Sequence, residues 1–224
     1  MSAKECVIDP TMNSPQIVGI GGFPEERLWD HVLALAGGRR VLVDNTASPQ
    51  WTDPPALAGE LAQLSFYPWP PENLRELALS SDAILVCGGN TANMLAIWRT
   101  HGFDRVLREA WEAGVVLCGW SAGMICWYEA GVTDSFGPQL EGMRDGLGFL
   151  AGSACPHYDG EELRRPRYTQ LVREGFPGGI GLDDGVAAHY VGTELREFVT
   201  ARPDGGAYRI GQDGEESLPV RRLE

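Results

Sequence analysis

The stretch Gly119-Trp120-Ser121-Ala122-Gly123 has the pattern G-x-S-x-G, directly after the apolar run Val115–Cys118 and directly before a helical pattern. A serine on a sharp strand-to-helix turn projects its hydroxyl from the carboxyl edge of a sheet, and flanking glycines remove side chains that would clash there. The free N–H groups at the start of the following helix face the place where a substrate oxygen would gain charge. These are the parts for nucleophilic attack on a carbonyl; the plainer reading is an ordinary strand-to-helix turn.

A serine hydroxyl becomes a nucleophile when a base takes its proton, and the chain has four histidines. His31 falls in an amphipathic helical pattern, and His101 precedes Gly102, where a helix C-terminal cap explains the pair. His189 sits in the alternating run Val186–Val191, as a strand residue would. His157, in Cys155-Pro156-His157-Tyr158-Asp159, opens an irregular polar stretch of the kind that carries function, and so stands ahead of His189. The imidazole then needs an orienting carboxylate. Asp134, Asp159 and the pair in Gly181-Leu182-Asp183-Asp184-Gly185 all qualify, and acid-acid-glycine is equally what a bare hairpin turn looks like. Spacing does not choose among them. A second glycine feature, Cys87-Gly88-Gly89-Asn90-Thr91, lies one strand–helix unit before the serine and so on the same edge of a parallel sheet. Its backbone N–H groups supply a second oxyanion donor beside that of Ala122. It has neither dinucleotide nor P-loop spacing, which weakens a phosphate reading.

The elements that must position these residues follow from periodicity. Gln16–Gly21, Arg39–Asp44, Ala83–Gly88 and Val115–Gly119 are short apolar runs ending in glycine or a turn, as strands buried on both faces do. Helical patterns fall between and after them at Glu25–Ala36, Glu72–Leu79, Thr91–Thr100, Phe103–Ala113, Ala122–Glu129 and Arg167–Glu174. Alternation of the two predicts an α/β fold with a mostly parallel, doubly wound sheet. After residue 178 the runs Ile180–Leu182, Val186–Val191, Glu197–Arg202, Ala207–Ile210 and Leu218–Arg221 are separated by Asp-Gly turn signals, which predicts a C-terminal antiparallel β-meander. With no linker to divide it, the chain reads as a single domain over 1–224, residues 1–15 being a flexible or irregular lead. Ser48–Pro71 and Gly131–Ala154 read as irregular surface excursions, and Trp51 and Trp69 on the first leave a homo-oligomer open beside a monomer.

Composition bounds the partners. Of 224 residues, 18 are Lys or Arg and 31 Asp or Glu, a net charge of −13, and Lys4 is the single lysine. An acidic chain without a basic run has no electrostatic footprint for nucleic acid or an anionic membrane. Neither a signal-peptide core nor an eighteen-residue apolar span is seen, so a soluble, cytoplasmic protein is expected. The five cysteines lack C-x-x-C spacing and lie mostly in apolar runs, as buried free thiols do.

Gly88-Gly89-Asn90-Thr91, Gly119-Trp120-Ser121-Ala122-Gly123, Pro156-His157 and Gly181-Leu182-Asp183-Asp184-Gly185, in that order, together resemble the peptidase E (aspartyl dipeptidase) family of serine peptidases, which is related to cyanophycinases. The resemblance spans roughly residues 16–210 and implies a class I glutamine amidotransferase-like fold. It implies Ser121 as nucleophile, His157 as general base, the N–H groups of Gly89 and Ala122 as oxyanion hole, and no cofactor or metal. The family's orienting glutamate falls on Asp184, one methylene shorter, with Asp134 in reserve. Arg164, in the cluster Arg164-Arg165-Pro166-Arg167, is the nearest match to the family's carboxylate-binding arginine, and Asn90 and Asp134 join it on the substrate side. A small peptide, cleaved as an Asp-X dipeptide, is the implied substrate. A carboxypeptidase-like or broader exopeptidase on the same residues is one alternative, and a non-catalytic amidotransferase-like binding module is another.

Overall fold

The computed structural model describes residues 14–50 and 56–224, so Cys6, Trp51 and nearly all of the N-terminal lead lie outside the described residues. The first half alternates strand and helix as expected: β1 Gln16–Ile20, α1 Glu26–Ala36, β2 Arg40–Asp44, β3 Glu60–Leu64, α2 Leu74–Leu79, β4 Ala83–Val86, α3 Thr91–His101, α4 Phe103–Glu112 and β5 Val116–Trp120. A short helix α5, Ala122–Ile125, follows, then β6 Tyr128–Thr133, β7 Glu141–Met143, β8 Leu150–Cys155 and α6 Arg164–Arg173. The chain closes with β9 Gly179–Leu182, β10 Val186–Val191, β11 Glu194–Thr200, β12 Ala207–Gly211, β13 Gly214–Leu218 and β14 Arg221–Arg222.

Eight strands form one sheet in the order β14-β11-β10-β1-β5-β4-β2-β3. Strands β1, β5, β4, β2 and β3 run parallel, and β10 joins β1 antiparallel at the other side. Successive residues of a strand point to opposite faces. Ile17, Leu42, Ile84 and Leu117 accordingly lie in one core with α3 and α4, while Val18, Val43, Leu85 and Cys118 lie in the other with Leu28, Trp29 and Val32 of α1. Burial on both faces explains the unbroken apolar runs, and it leaves the carboxyl ends of β1, β4 and β5 as the edge from which polar loops emerge.

The second sheet, in the order β13-β12-β9-β8-β6-β7, departs from the sequence reading in two ways. The stretch Gly131–Ala154 is largely strand, and the helix expected over Ala122–Glu129 ends at Ile125. The carbonyls of Cys126 and Trp127 are taken by the N–H groups of Leu147, Phe149 and Leu150, and the Trp127 ring is buried 6.4 Å from that of Trp98, so tertiary pairing ends the helix. Among the C-terminal strands β10–β11 and β12–β13 are antiparallel neighbours, β14 pairs parallel with β11, and the strands do not form one meander. β10 and β11 extend the first sheet, whereas β9, β12 and β13 belong to the second. The run expected over Leu218–Arg221 is broken by Pro219, which has no N–H to give a ladder. Within the Ser48–Pro71 excursion lies β3, the edge strand of the first sheet, followed by exposed Tyr67 and Trp69.

Candidate active site

The segment that leaves β1, Gly21-Gly22, is the axis of the site. Ile20 pairs with Trp120 of β5, and the N–H groups of Ser121 and His157 are donated to the consecutive carbonyls of Ile20 (3.2 Å) and Gly21 (3.1 Å). A side chain at Gly22 would overlap the Asp184 carboxylate, and one at Gly21 would overlap the carbonyl of Asp183. Serine, histidine and aspartate, distant in sequence, are thus gathered around two glycines. Sequence reading treated Gly21 only as a strand end; the missed signal was a glycine pair following a buried strand on the carboxyl edge.

Ser121 has φ 55° and ψ −114°, and His157 has φ 54°. These are the two described non-glycine residues with positive φ, and such backbone is costly unless its surroundings impose it. Around Ser121 they do. Gly119 and Gly123 stand so close to the Val86 carbonyl that a Cβ on either would collide with it, which locks the turn after β5 onto the end of β4. His157 Nδ1 lies 2.6 Å from Asp184 Oδ1, with the imidazole partly exposed. Of the three carboxylate positions left open by spacing, the Asp183-Asp184 turn supplies the imidazole's partner. Asp159 Oδ1 instead accepts the N–H of Asp184 at 2.8 Å, and Asp134 is exposed on the loop after β6.

Gly88 and Gly89 follow β4 and face the serine turn: a Cβ at Gly88 would stand 3.1 Å from Ser121 Cβ. Gly89, at φ 138°, abuts Ala47 and Ser48, while the Ser48 hydroxyl donates to the Gly88 carbonyl (2.9 Å) and Asn90 N–H donates to that of Ala47 (2.8 Å). Two loops therefore pin the glycine pair. The N–H groups of Gly89 and Ala122 have no hydrogen-bond partner among the described residues and remain free to bind an oxyanion.

A family model, Peptidase family S51, matches residues 56–198. The chain belongs to peptidase family S51. It is also 46% identical over 167 residues, 72% of each chain, to the uncharacterized peptidase YgaJ of Bacillus subtilis (strain 168). The S51 chain is a serine-type peptidase. Its fold is similar to that of a peptidase from an acI-B1 actinobacterium (TM-score 0.65, 17% identity, covering 94% of this chain and 96% of that one). It is similar as well to that of a protein assigned as peptidase E from Listeria monocytogenes EGD-e (TM-score 0.61, 18% identity, covering 82% and 97%).

The residues expected on the substrate side of this S51 peptidase have other partners. Arg164 is buried, its Nε 2.7 Å from Glu161 Oε2 and its Nη1 3.0 Å from the Val132 carbonyl, so its guanidinium is occupied within the fold. Arg165 pairs with Glu215 and lies over the rings of Tyr158 and Tyr208. Arg167 gives Nε to the Leu140 carbonyl (3.0 Å), keeps its terminal nitrogens unpaired among the described residues, and lines a groove of about 690 Å³ with Leu140, Leu163 and Gln170. Asn90 caps α3 through Asn93 N–H (2.9 Å) and donates to the Ser135 carbonyl (2.9 Å), beside Asp134. The other histidines have structural places. His189 is buried against Gln16 (2.8 Å), with burial lowering its pKa; His101 stacks on Phe66 and precedes the left-handed cap Gly102; His31 is lowered by burial in α1. Cys87, Cys118, Cys126 and Cys155 are buried free thiols, and burial raises each above the usual range. No helix among the described residues is long and apolar enough to cross a membrane.

Proposed function

We propose that Ser121, His157 and Asp184 act as the catalytic triad of an exopeptidase on small peptides. The observation that carries this is the 2.6 Å contact between His157 Nδ1 and Asp184, made on the same strand end that holds the strained Ser121. With Nδ1 bound to the carboxylate, the tautomer leaves Nε2 as the base. Ser121 Oγ attacks the scissile carbonyl carbon as its proton passes to His157 Nε2, and the oxyanion is met by the N–H groups of Gly89 and Ala122. Collapse breaks the C–N bond, the imidazolium gives its proton to the leaving amine, and water activated by the same imidazole releases the acyl group. Every proton is accounted for by one imidazole.

For substrate, the Asp-X dipeptide implied by the motif resemblance requires a cation for the aspartate side chain. The pairing of Arg164 with Glu161 favours a second reading, a broader-specificity or carboxypeptidase-like exopeptidase on the same triad. Arg167 is the arginine of the cluster whose terminal nitrogens have no partner among the described residues, and it is the one to test as a carboxylate partner. The four buried free thiols support a reducing, cytoplasmic setting.

The deciding experiment runs Asp-X, Ala-X and longer peptides with wild type, Ser121→Ala and Arg167→Ala, and adds a fluorophosphonate probe. Ser121→Ala should lose about 10⁴-fold or more in kcat and all labelling while retaining its fold. Cleavage of Asp-X alone supports the dipeptidase, and cleavage across the panel the broader enzyme. Full activity in Ser121→Ala sinks the triad.

A further inference from the structure

We infer that Arg202 and Asp159 are positioning residues, which hold Asp184 by its main chain so that a side chain as short as aspartate meets His157. This rests on the triad reading. Two torsions separate the aspartate main chain from its carboxylate, so the place of the carboxylate is set by where the peptide is held.

Both polar groups of that main chain are captured. Asp159 Oδ1 accepts the Asp184 N–H at 2.8 Å, and Arg202 Nη1 donates to the Asp184 carbonyl at 2.7 Å. The two captors are bound to each other, Arg202 Nη1 to Asp159 Oδ2 at 3.2 Å, which closes a ring around residue 184. Asp159 stands two residues after His157, so the loop that carries the base grips the turn that carries the acid. Arg202 is anchored in turn: its own N–H is donated to Thr200 Oγ1 (3.0 Å), and the Thr200 hydroxyl donates to the Gly185 carbonyl (2.9 Å). The stem of Arg202 lies over Gly185, where a Cβ would come within 2.9 Å of its Cδ.

Charge gives the arginine a second task. Asp159, Asp183, Asp184 and Asp204 are brought together from three loops, and Arg202 lies among them, with Asp204 Oδ1 at 3.5 Å as its third partner, while Arg165 also acts on Asp183. A neutral residue there would leave Asp159, Asp183 and Asp204 without that compensating charge beside the residue that carries the His157 partner. A guanidinium suits the place because its planar fork serves a carbonyl and a carboxylate together.

The test compares wild type, Arg202→Gln, Arg202→Lys and Asp159→Ala, all monitored for thermal unfolding. The readouts are the rate of fluorophosphonate labelling, kcat and KM on the best peptide, and the low-field NMR resonance of the proton shared by His157 and Asp184. Arg202→Gln should slow labelling and kcat by about tenfold to a hundredfold with KM little changed, the size expected when a reacting group is displaced by roughly 1 Å. It should also shift or broaden the low-field proton, and Arg202→Lys, which keeps the charge and a donor, should restore part of both. Wild-type kcat and an unmoved proton in folded Arg202→Gln would overturn the inference. If that variant does not fold, Asp159→Ala, which lies on an exposed loop, takes its place: slowed labelling with a shifted proton supports the inference, and wild-type values of both overturn it. Failure of the triad itself is separate: it shows as a wild type without the low-field proton or as activity in Ser121→Ala.

Discussion

At the scale of single residues, the space around Asp184 is made by what is missing from its neighbours. Side chains at Gly22 and Gly160 would both overlap its carboxylate, one from the β1 side and one from the loop after His157. Neither glycine has a positive φ, so alanine is accepted by the backbone and only the collision remains. Gly22→Ala should therefore push Asp184 off His157 and cut kcat by about a hundredfold, with thermal stability changed far less. An equal loss of stability and activity would show that Gly22 serves the fold and not the acid. The same crowding ranks the carboxylates: on the proposed triad Asp184→Asn should leave geometry but hold the wrong imidazole tautomer, and so cost about 10⁴-fold in kcat. Asp134→Asn, exposed and away from the imidazole, should stay within a few-fold of wild type. If the two variants rank in reverse in a kcat assay, the acid is Asp134.

At the scale of elements, the turn after β5 and the N-terminus of α3 are held by neighbours remote in sequence. Asn90 joins two of them, capping Asn93 N–H and binding the loop after β6 through the Ser135 carbonyl. Asn90→Ala should cost about 1 kcal/mol from the lost cap. It should also loosen residues 134–136, seen as faster amide exchange there; unchanged exchange would confine Asn90 to capping. The first sheet was legible because its strands are buried on both faces: Ile17-Val18, Val41-Leu42-Val43 and Ile84-Leu85 carry apolar residues for two cores, and the helices between them supply a second period. In the second sheet Ile180–Leu182 and Ala207–Ile210 were legible as strands, but β6, β7 and β8 were not, because these are built largely from small residues. Gly131 lies against the Ala154 carbonyl and Gly179 against that of Ser153, so close approach of backbones replaced the β-branched side chains by which strands are recognised. Ser121 and His157 stood out because few residue types can serve as a nucleophile or as its base. Arg202 and Asp159 act through main-chain groups of another residue, a role that no side-chain pattern records.

At the scale of the whole molecule, a net charge of −13 places an acidic envelope around a core that itself contains a carboxyl group. Asp44 ends β2 fully buried; its oxygens accept from the N–H and hydroxyl of Thr46 and from Trp98 Nε1 (2.9 Å), yet burial still raises its pKa to about 6. The strand end it occupies leads into Ala47 and Ser48, which pin Gly88 and Gly89, so its protonation state bears on the placing of that glycine loop as well as on stability. The sign follows from proton counting. Between the carboxyl's unfolded value near 3.8 and its folded value of about 6, the folded chain holds the extra proton. The stability this group contributes is thus present at low pH and lost as pH rises through 6. A rise of that size corresponds to roughly 2–3 kcal/mol when fully expressed. Asp183, raised by burial to about 6, adds in the same direction, whereas Asp82, Glu109 and Glu197, lowered chiefly by hydrogen bonds from arginines, act oppositely. The pH dependence of the wild type alone therefore cannot isolate Asp44, but a difference can. Asp44→Asn cannot titrate, so its stability deficit relative to wild type should shrink by roughly 2 kcal/mol between about pH 4.5 and pH 7.5, measured by urea unfolding at intermediate points. A deficit that stays constant across that range would mean that Asp44 is ionised in the folded protein throughout, held so by its three hydrogen-bond donors against the cost of burial.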